Sequence, residues 1–327
     1  MARGGTSSRI AGRCSTPAGG DTAPGGLRAA RRLRQWLAAA ALIGLSACSL
    51  PADDSPGPPH SPTAPISVEV NQSRDQYGQQ AILLMVTNLT DSTMAVDRVT
   101  VRSVLYPGGI VGVPRDGVLD LPPHQPKSIP ALLPGPDCDA APAGATGTPG
   151  QDALVSLTVE RQQRATQELP AIDPFGVLPR TNAELCLAAV AAAAADIVLE
   201  QGLELAADGR TAVVRLVLAP AQGAAAALPG PPLLTVHSVG GTPLLAEDAA
   251  APWPRDVTVH AGGPAVTLPL RVRPARCDPH AVAEDKVGTL LPLTVTAGGR
   301  SGVLKVAADP QLRAELYDFV TSACSRG

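Results

Sequence analysis

The chain has 327 residues and a formal net charge of −3, with 17% charged and 2% aromatic residues. Residues 1–48 hold seven arginines against the single acid Asp21, so the remainder carries −9 and keeps only Lys127, Lys286 and Lys305 as lysines. That balance repels phosphate backbones and excludes nucleic-acid binding. Trp253 is the one tryptophan beyond residue 48, which leaves little from which to build a ring-stacking sugar platform.

Arg28, Arg31, Arg32 and Arg34 stand before an apolar run from Trp36 to Ala47. A basic stretch followed by a short apolar core describes a secretory signal. The run is too short for a membrane span, which needs roughly 20 apolar residues, and Pro51, Asp53, Asp54 and Pro56 prevent its extension. Arg34 and Gln35 occupy places where a twin-arginine signal is apolar, so the general export route is expected. The segment before Arg28 is long for an n-region, which puts the expected start of the leader downstream of Met1. Leu45-Ser46-Ala47-Cys48 resembles the lipobox of bacterial lipoproteins. The resemblance implies a signal peptide over 1–47, cleavage before Cys48, and lipidation of the Cys48 thiol (diacylglyceryl, palmitate-type chains). It thus implies export to the outer face of the cytoplasmic membrane. The abundance of Ala, Gly and Pro resembles proteins of high-GC actinobacteria. Residues 48–65, with six prolines between Ser49 and Pro65, read as an extended tether.

Beyond the tether, the same landmarks occur twice in one order. Pro114-Arg115-Asp116 recurs as Pro254-Arg255-Asp256, and Cys138-Asp139 as Cys277-Asp278. Leu154–Val159 recurs as Leu290–Val295, Asp173-Pro174 as Asp309-Pro310, and Cys186 as Cys324. Five matches in order indicate a tandem duplication. Cys14 leaves with the leader and Cys48 is committed to lipid, so four cysteines remain, which allow three pairings. Exported thiols tend to be oxidised, and the repeat selects Cys138–Cys186 and Cys277–Cys324.

Short alternating runs such as Ile66-Ser67-Val68-Glu69-Val70, Val99-Thr100-Val101 and Val257-Thr258-Val259 are separated by breakers such as Pro107-Gly108-Gly109 and Gly298-Gly299. This predicts an all-β chain of two tandem immunoglobulin- or fibronectin-like β-sandwich domains, over 66–188 and 189–327, each closed by one disulfide. Asp309-Pro310 is a good helix start, and Leu312, Leu316, Phe319 and Val320 share one face, so a short C-terminal helix is predicted. After Asp173-Pro174, Gly176 and Pro179 argue against a matching helix. The alanine-rich Leu187–Ala195 is either a helical spacer or the run into a strand. Ala140–Gln151 and Pro220–Pro232 read as loose loops.

Chemistry is sparse. Asp278, His280 and Glu284 form the one polar cluster with a functional look: if Asp278 caps a turn, His280 and Glu284 lie four apart and could share a ligand. The plainer reading is a capped, solvated turn, because two ligands do not make a zinc site. The string around it resembles uncharacterised actinobacterial exported proteins, which implies no activity. Arg115-Asp116 and Arg255-Asp256 are expected to form local ion pairs that fix loops, and His124, His237 and His260 to stand alone. No G-x-S-x-G, H-E-x-x-H, S-x-x-K or phosphate-loop pattern occurs, so no catalytic residue, metal or cofactor is expected. The expected function is a lipid-anchored, non-catalytic binding or adaptor module with an envelope protein partner. The alternative is an exported metal- or ligand-binding sensor centred on Asp278, His280 and Glu284.

Overall fold

Alternation along Ile66–Asn71 (β1) turns Ile66, Val68 and Val70 inward, where each is at most 1% exposed. The computed structural model describes residues 64–77, 79–140, 152–159, 163–223 and 231–326. The leader, Cys48, the tether up to residue 63 and most of the two loops expected around 140–151 and 220–232 lie outside the described residues. The same inward alternation recurs in Ala81–Asn88 (β2), Met94–Ser103 (β3), Tyr106–Gly112 (β4), Leu119–Leu121 (β5) and Pro126–Leu132 (β6). Asp152–Val159 (β7) and Gln163–Ile172 (β8) follow. These eight strands make one sheet in the order β4-β6-β2-β1-β8-β7-β3-β5. Because β4 pairs with β3 as well as β6, the sheet closes into a ring with β5 appended beside β3. The crossing is tight: a Cβ on Gly112 would lie 3.0 Å from Ile129 Cγ2 and 3.1 Å from Leu84 Cδ1, so any side chain there would have to push those two aside.

The second half repeats the scheme with Ala195–Leu199 (β9), Glu204–Leu205 (β10), Ala212–Pro220 (β11), Leu233–Val239 (β12), Leu245–Glu247 (β13), Val257–His260 (β14) and Val266–Pro274 (β15). Leu290–Ala297 (β16) and Arg300–Ala307 (β17) complete it. Six antiparallel pairings correspond one to one. β1–β2, β2–β6 and β4–β6 match β9–β11, β11–β15 and β13–β15. β3–β5, β3–β7 and β7–β8 match β12–β14, β12–β16 and β16–β17. The repeated Leu154–Val159 and Leu290–Val295 fall in the corresponding strands β7 and β16. β16 and β17 are joined by Gly298-Gly299, both at positive φ (52° and 75°), the requirement of a two-residue hairpin. One difference matters below. In the first half β1 and β8 pair in parallel, Val68 with Ala171 and Glu69 with Ile172; in the second half no ladder joins β9 to β17 among the described residues, and the strands form two sheets.

Both disulfides are present, Cys138–Cys186 and Cys277–Cys324, at sequence separations of 48 and 47. Each ties the segment after β6 or β15 to the helix that follows the last strand. The C-terminal helix, Pro310–Cys324, is capped by Asp309, whose carboxylate accepts from the amides of Gln311 and Leu312, and it buries Leu312, Leu316, Phe319 and Val320. A second long helix corrects the sequence reading. Val177–Ala194 (α1) forms despite Gly176 and Pro179. Pro179 is its third residue, where the amide has no helical partner to lose. Gly176 sits at φ 57° as N-cap, and Asp173 accepts from the amides of Val177 and Leu178. The short Pro279–Ala283 helix (α2) precedes β16, so the C-terminal helix is α3.

Two hydrophobic cores result, and α1 contributes to both: Val177 and Leu178 to the first, Leu187, Ala191 and Ala194 to the second. The expected domain boundary at 188/189 thus falls within this helix. Its docking on the first core includes Tyr106, fully buried, whose hydroxyl lies 2.7 Å from Thr181 Oγ1. Thr181 Oγ1 donates to the Val177 carbonyl, so the phenol is the donor. Burial pushes this phenol up to about 12. The folded state retains the proton, so the contribution is intact below the ordinary phenol range near about 10. It fades as pH climbs through about 12. Tyr106→Phe is expected to cost about 0.5–1.5 kcal/mol in urea unfolding and to delete the last phenolate absorbance step. A step that persists near pH 12 would assign that phenol elsewhere.

Candidate binding cleft

The unclosed seam of the second half borders a cleft of about 580 Å³, within the range of about 300–1,000 Å³ usual for ligand sites. One wall is a face of α1 at helical spacing: Thr181, Glu184, Leu185, Ala188, Ala191 and Ala192. β9 supplies Ala195–Leu199, and β17 with the residues after it supplies Val303–Asp309. Gln72, Gln80 and Leu133 reach in from the first half. Alanines create the space, since α1 approaches β9 and β17 with nothing beyond Cβ on its exposed positions 188 and 192.

A polar belt closes one side. Lys305 Nζ donates to Glu184 Oε1 at 2.7 Å and lies 5.1 Å from the centre of the Tyr77 ring. Arg180 is 3.7 Å from Glu184 and donates to Gln72 Oε1 at 2.9 Å. Lys305 is on β17, Gln72 and Tyr77 belong to the first half, and Arg180 and Glu184 to α1, so the belt ties the halves through the helix. Arg300 donating to the Cys138 carbonyl, and Lys286 3.7 Å from Asp75, add two further links. The Asp75 carboxyl is held low chiefly by the Ser73 hydroxyl, with Lys286 adding to it.

The sequence-derived cluster forms a capped turn. Asp278 is the N-cap of α2 and accepts from the His280 amide at 3.0 Å; the Glu284 amide donates to the His280 carbonyl. Asp278, His280 and Glu284 are all exposed. Among the described residues, no three His, Cys, Asp or Glu side chains are grouped to hold a metal.

The Pro-Arg-Asp repeats enter β5 and β14, but Arg255 and Asp256 do not pair locally. Arg255 reaches Glu247 at 3.4 Å, and Asp256, at φ 52°, lies 3.0 Å from His237 Nδ1. His237, expected to stand alone, is the bulged residue of β12 and lies 3.0 Å from Thr296 Oγ1 through Nε2; Ser301 Oγ is 2.7 Å further on. An ionised Asp256 makes Nδ1 the donor, so in the neutral ring Nε2 accepts from Thr296. This Asp–His–Thr–Ser chain stands on an open sheet face, with His237 and Asp256 side chains 42% and 77% exposed. It fixes three strands to one loop. His124 is likewise paired, 3.1 Å from Asp91.

No protein-family profile matches the chain, and no curated protein matches it. Among solved structures, a red sea bream transglutaminase matches at 10% identity over 76% of this chain and 32% of its own, with a TM-score of 0.21. The CsuC–CsuE chaperone–tip adhesion subunit complex of Acinetobacter baumannii matches at 11% identity over 74% of this chain and 95% of its own, TM-score 0.17. The E. coli chaperone DraB matches at 11% over 75% and 95%, TM-score 0.19. Likenesses this faint carry no argument about function.

Proposed function

We propose that the chain is an exported, lipid-anchored binding or adaptor module, acting non-catalytically on a protein partner in the cell envelope. Its two halves are read as tandem immunoglobulin-like domains that share α1, held off the membrane by the tether and anchored through Cys48. The observation that carries the reading is the pair of disulfides at corresponding places in the repeat, chemistry that belongs to an oxidising compartment. The cleft beside α1 supplies a place for a partner. A sensor built on Asp278, His280 and Glu284 is the weaker reading, because the Asp278 carboxylate is already engaged by a backbone amide.

The anchoring part is tested by metabolic palmitate labelling and detergent partition of wild type against Cys48→Ala. Wild type is expected to take label and enter the detergent phase, and the variant to do neither. Equal behaviour of the two proteins would overturn the anchor. In-cell crosslinking tests the adaptor part, with a discrete crosslinked protein expected.

A further inference from the structure

We infer that the outer face of β4, β6 and β2 is a membrane-contact surface, on which the anchored protein rests against the lipid bilayer. The inference rests on the lipid-anchored reading and names the surface that meets the membrane.

Strand register builds the face. Ile129 and Ala131 of β6 point into the first core, so Ser128, Pro130 and Leu132 point outward. Leu132 stands between Val111 of β4 and Ala81 of β2, Pro130 is opposite Leu83, and Ser128 is opposite Met85. Leu132 is 72% exposed, Val111 39%, and Val113, just past β4, 44%. Leu83 and Met85 are partly exposed. No charge interrupts them, because Lys127, the one charged residue of these three strands, falls in the Ile129 row. Contiguous exposed apolar surface marks a place of contact. The repeat supplies the comparison. The corresponding strands β11 and β15 turn Arg215, Arg271 and Arg273 outward, with Arg215 paired to Glu204 and Arg271 to Asp248. One copy has a face made for water and the other does not.

The place where the chain enters decides the occupant. Residues 48–65 lead into Ile66, the first residue of β1, and β1 pairs with β2. A stretch of that length spans at most about 60 Å, so lipid on Cys48 keeps the first half near the bilayer. A surface held that close binds through contacts too weak to act alone. The bare face thus belongs to the copy next to the anchor, and the charged face to the copy farther along the chain. With −9 beyond residue 48, two copies repel each other and an anionic surface repels the charged parts of the chain. The uncharged face escapes that penalty against lipid. Its rims are polar: Thr100 of β3 is opposite Val111, with Arg98 outward on the same strand, and Glu69 of β1 is opposite Met85. An apolar centre edged by charge suits the headgroup boundary of a bilayer.

The test reconstitutes the mature protein, purified from membranes, into vesicles of phosphatidylethanolamine and phosphatidylglycerol. Ser128→Cys carries a nitrobenzoxadiazole label on the face, and Thr267→Cys carries it at the corresponding exposed place on β15. Nitroxide-labelled lipids are expected to quench the label at 128 and to leave the label at 267 bright. Adding Leu132→Glu and Val111→Glu should abolish the quenching at 128 while the protein stays with the vesicles through its lipid. Unchanged melting temperatures show that the glutamates leave the fold intact. A label at 128 that stays in water on vesicle-bound protein would sink this inference alone. Protein that never enters the vesicle fraction would sink the anchor and this inference together. Quenching that survives both glutamates would also overturn it. So would a dimer in detergent that Leu132→Glu dissolves, since the face would then hold a second copy. A benzophenone on the same cysteine that captures a discrete protein instead of lipid would give the face to that protein and overturn the membrane contact.

Discussion

Loss of either disulfide is expected to cost about 4 kcal/mol, the loop-closure value for rings of 47 or 48 residues. The two bonds should not break together. Cys186 is fully buried in α1, beside the Asn182 side chain that donates to the Leu105 and Asp137 carbonyls. Cys277 is exposed, and its partner Cys324 closes the last turn of α3. Graded dithiothreitol followed by alkylation and peptide mass mapping should therefore release Cys277–Cys324 first and Cys138–Cys186 only near unfolding. Trp253, 3% exposed in the second core, gives a fluorescence signal for that half. That signal should shift as the first bond opens. Simultaneous release, or the reverse order, would contradict the packing described for α1.

Ala189→Pro is expected to lose about 3 kcal/mol or more, although Ala189 is exposed and touches neither core. Proline there removes the bond from residue 189 to the Leu185 carbonyl and collides with it, in the middle of a helix that serves both cores. Ala189→Gly should cost only about 1 kcal/mol. A single wild-type unfolding transition should split in the proline variant, with Trp253 fluorescence and tyrosine near-ultraviolet dichroism no longer coinciding. Coincident transitions at unchanged stability would mean that α1 does not couple the halves.

What the sequence disclosed followed the strength of its local signals. Alternating strands, the doubled landmarks and the cysteine register led to the sheets and to both disulfides. Asp309-Pro310 with Leu312, Leu316, Phe319 and Val320 led to α3. The N-terminal part of helix α1 was missed, although a helix over the alanine run was one of two alternatives, because Gly176 and Pro179 count against a helix by propensity, whereas at the cap and third position neither breaks a hydrogen bond. The cleft was illegible for a different reason: Ala188 and Ala192 contribute by what they lack, and an alanine run shows no chemistry. His237 met Asp256 and Thr296 only through strand order, with no spacing to announce it; the bulge and the positive φ of Asp256 are backbone facts that residue identities did not reveal.

The junction between the halves has a mechanical consequence. An 18-residue helix is about 27 Å long and stiff, and β9 begins at the residue after it ends. No slack exists to absorb a pull. A tug applied to the second half is delivered to the first without a swivel, so the two halves move together under load.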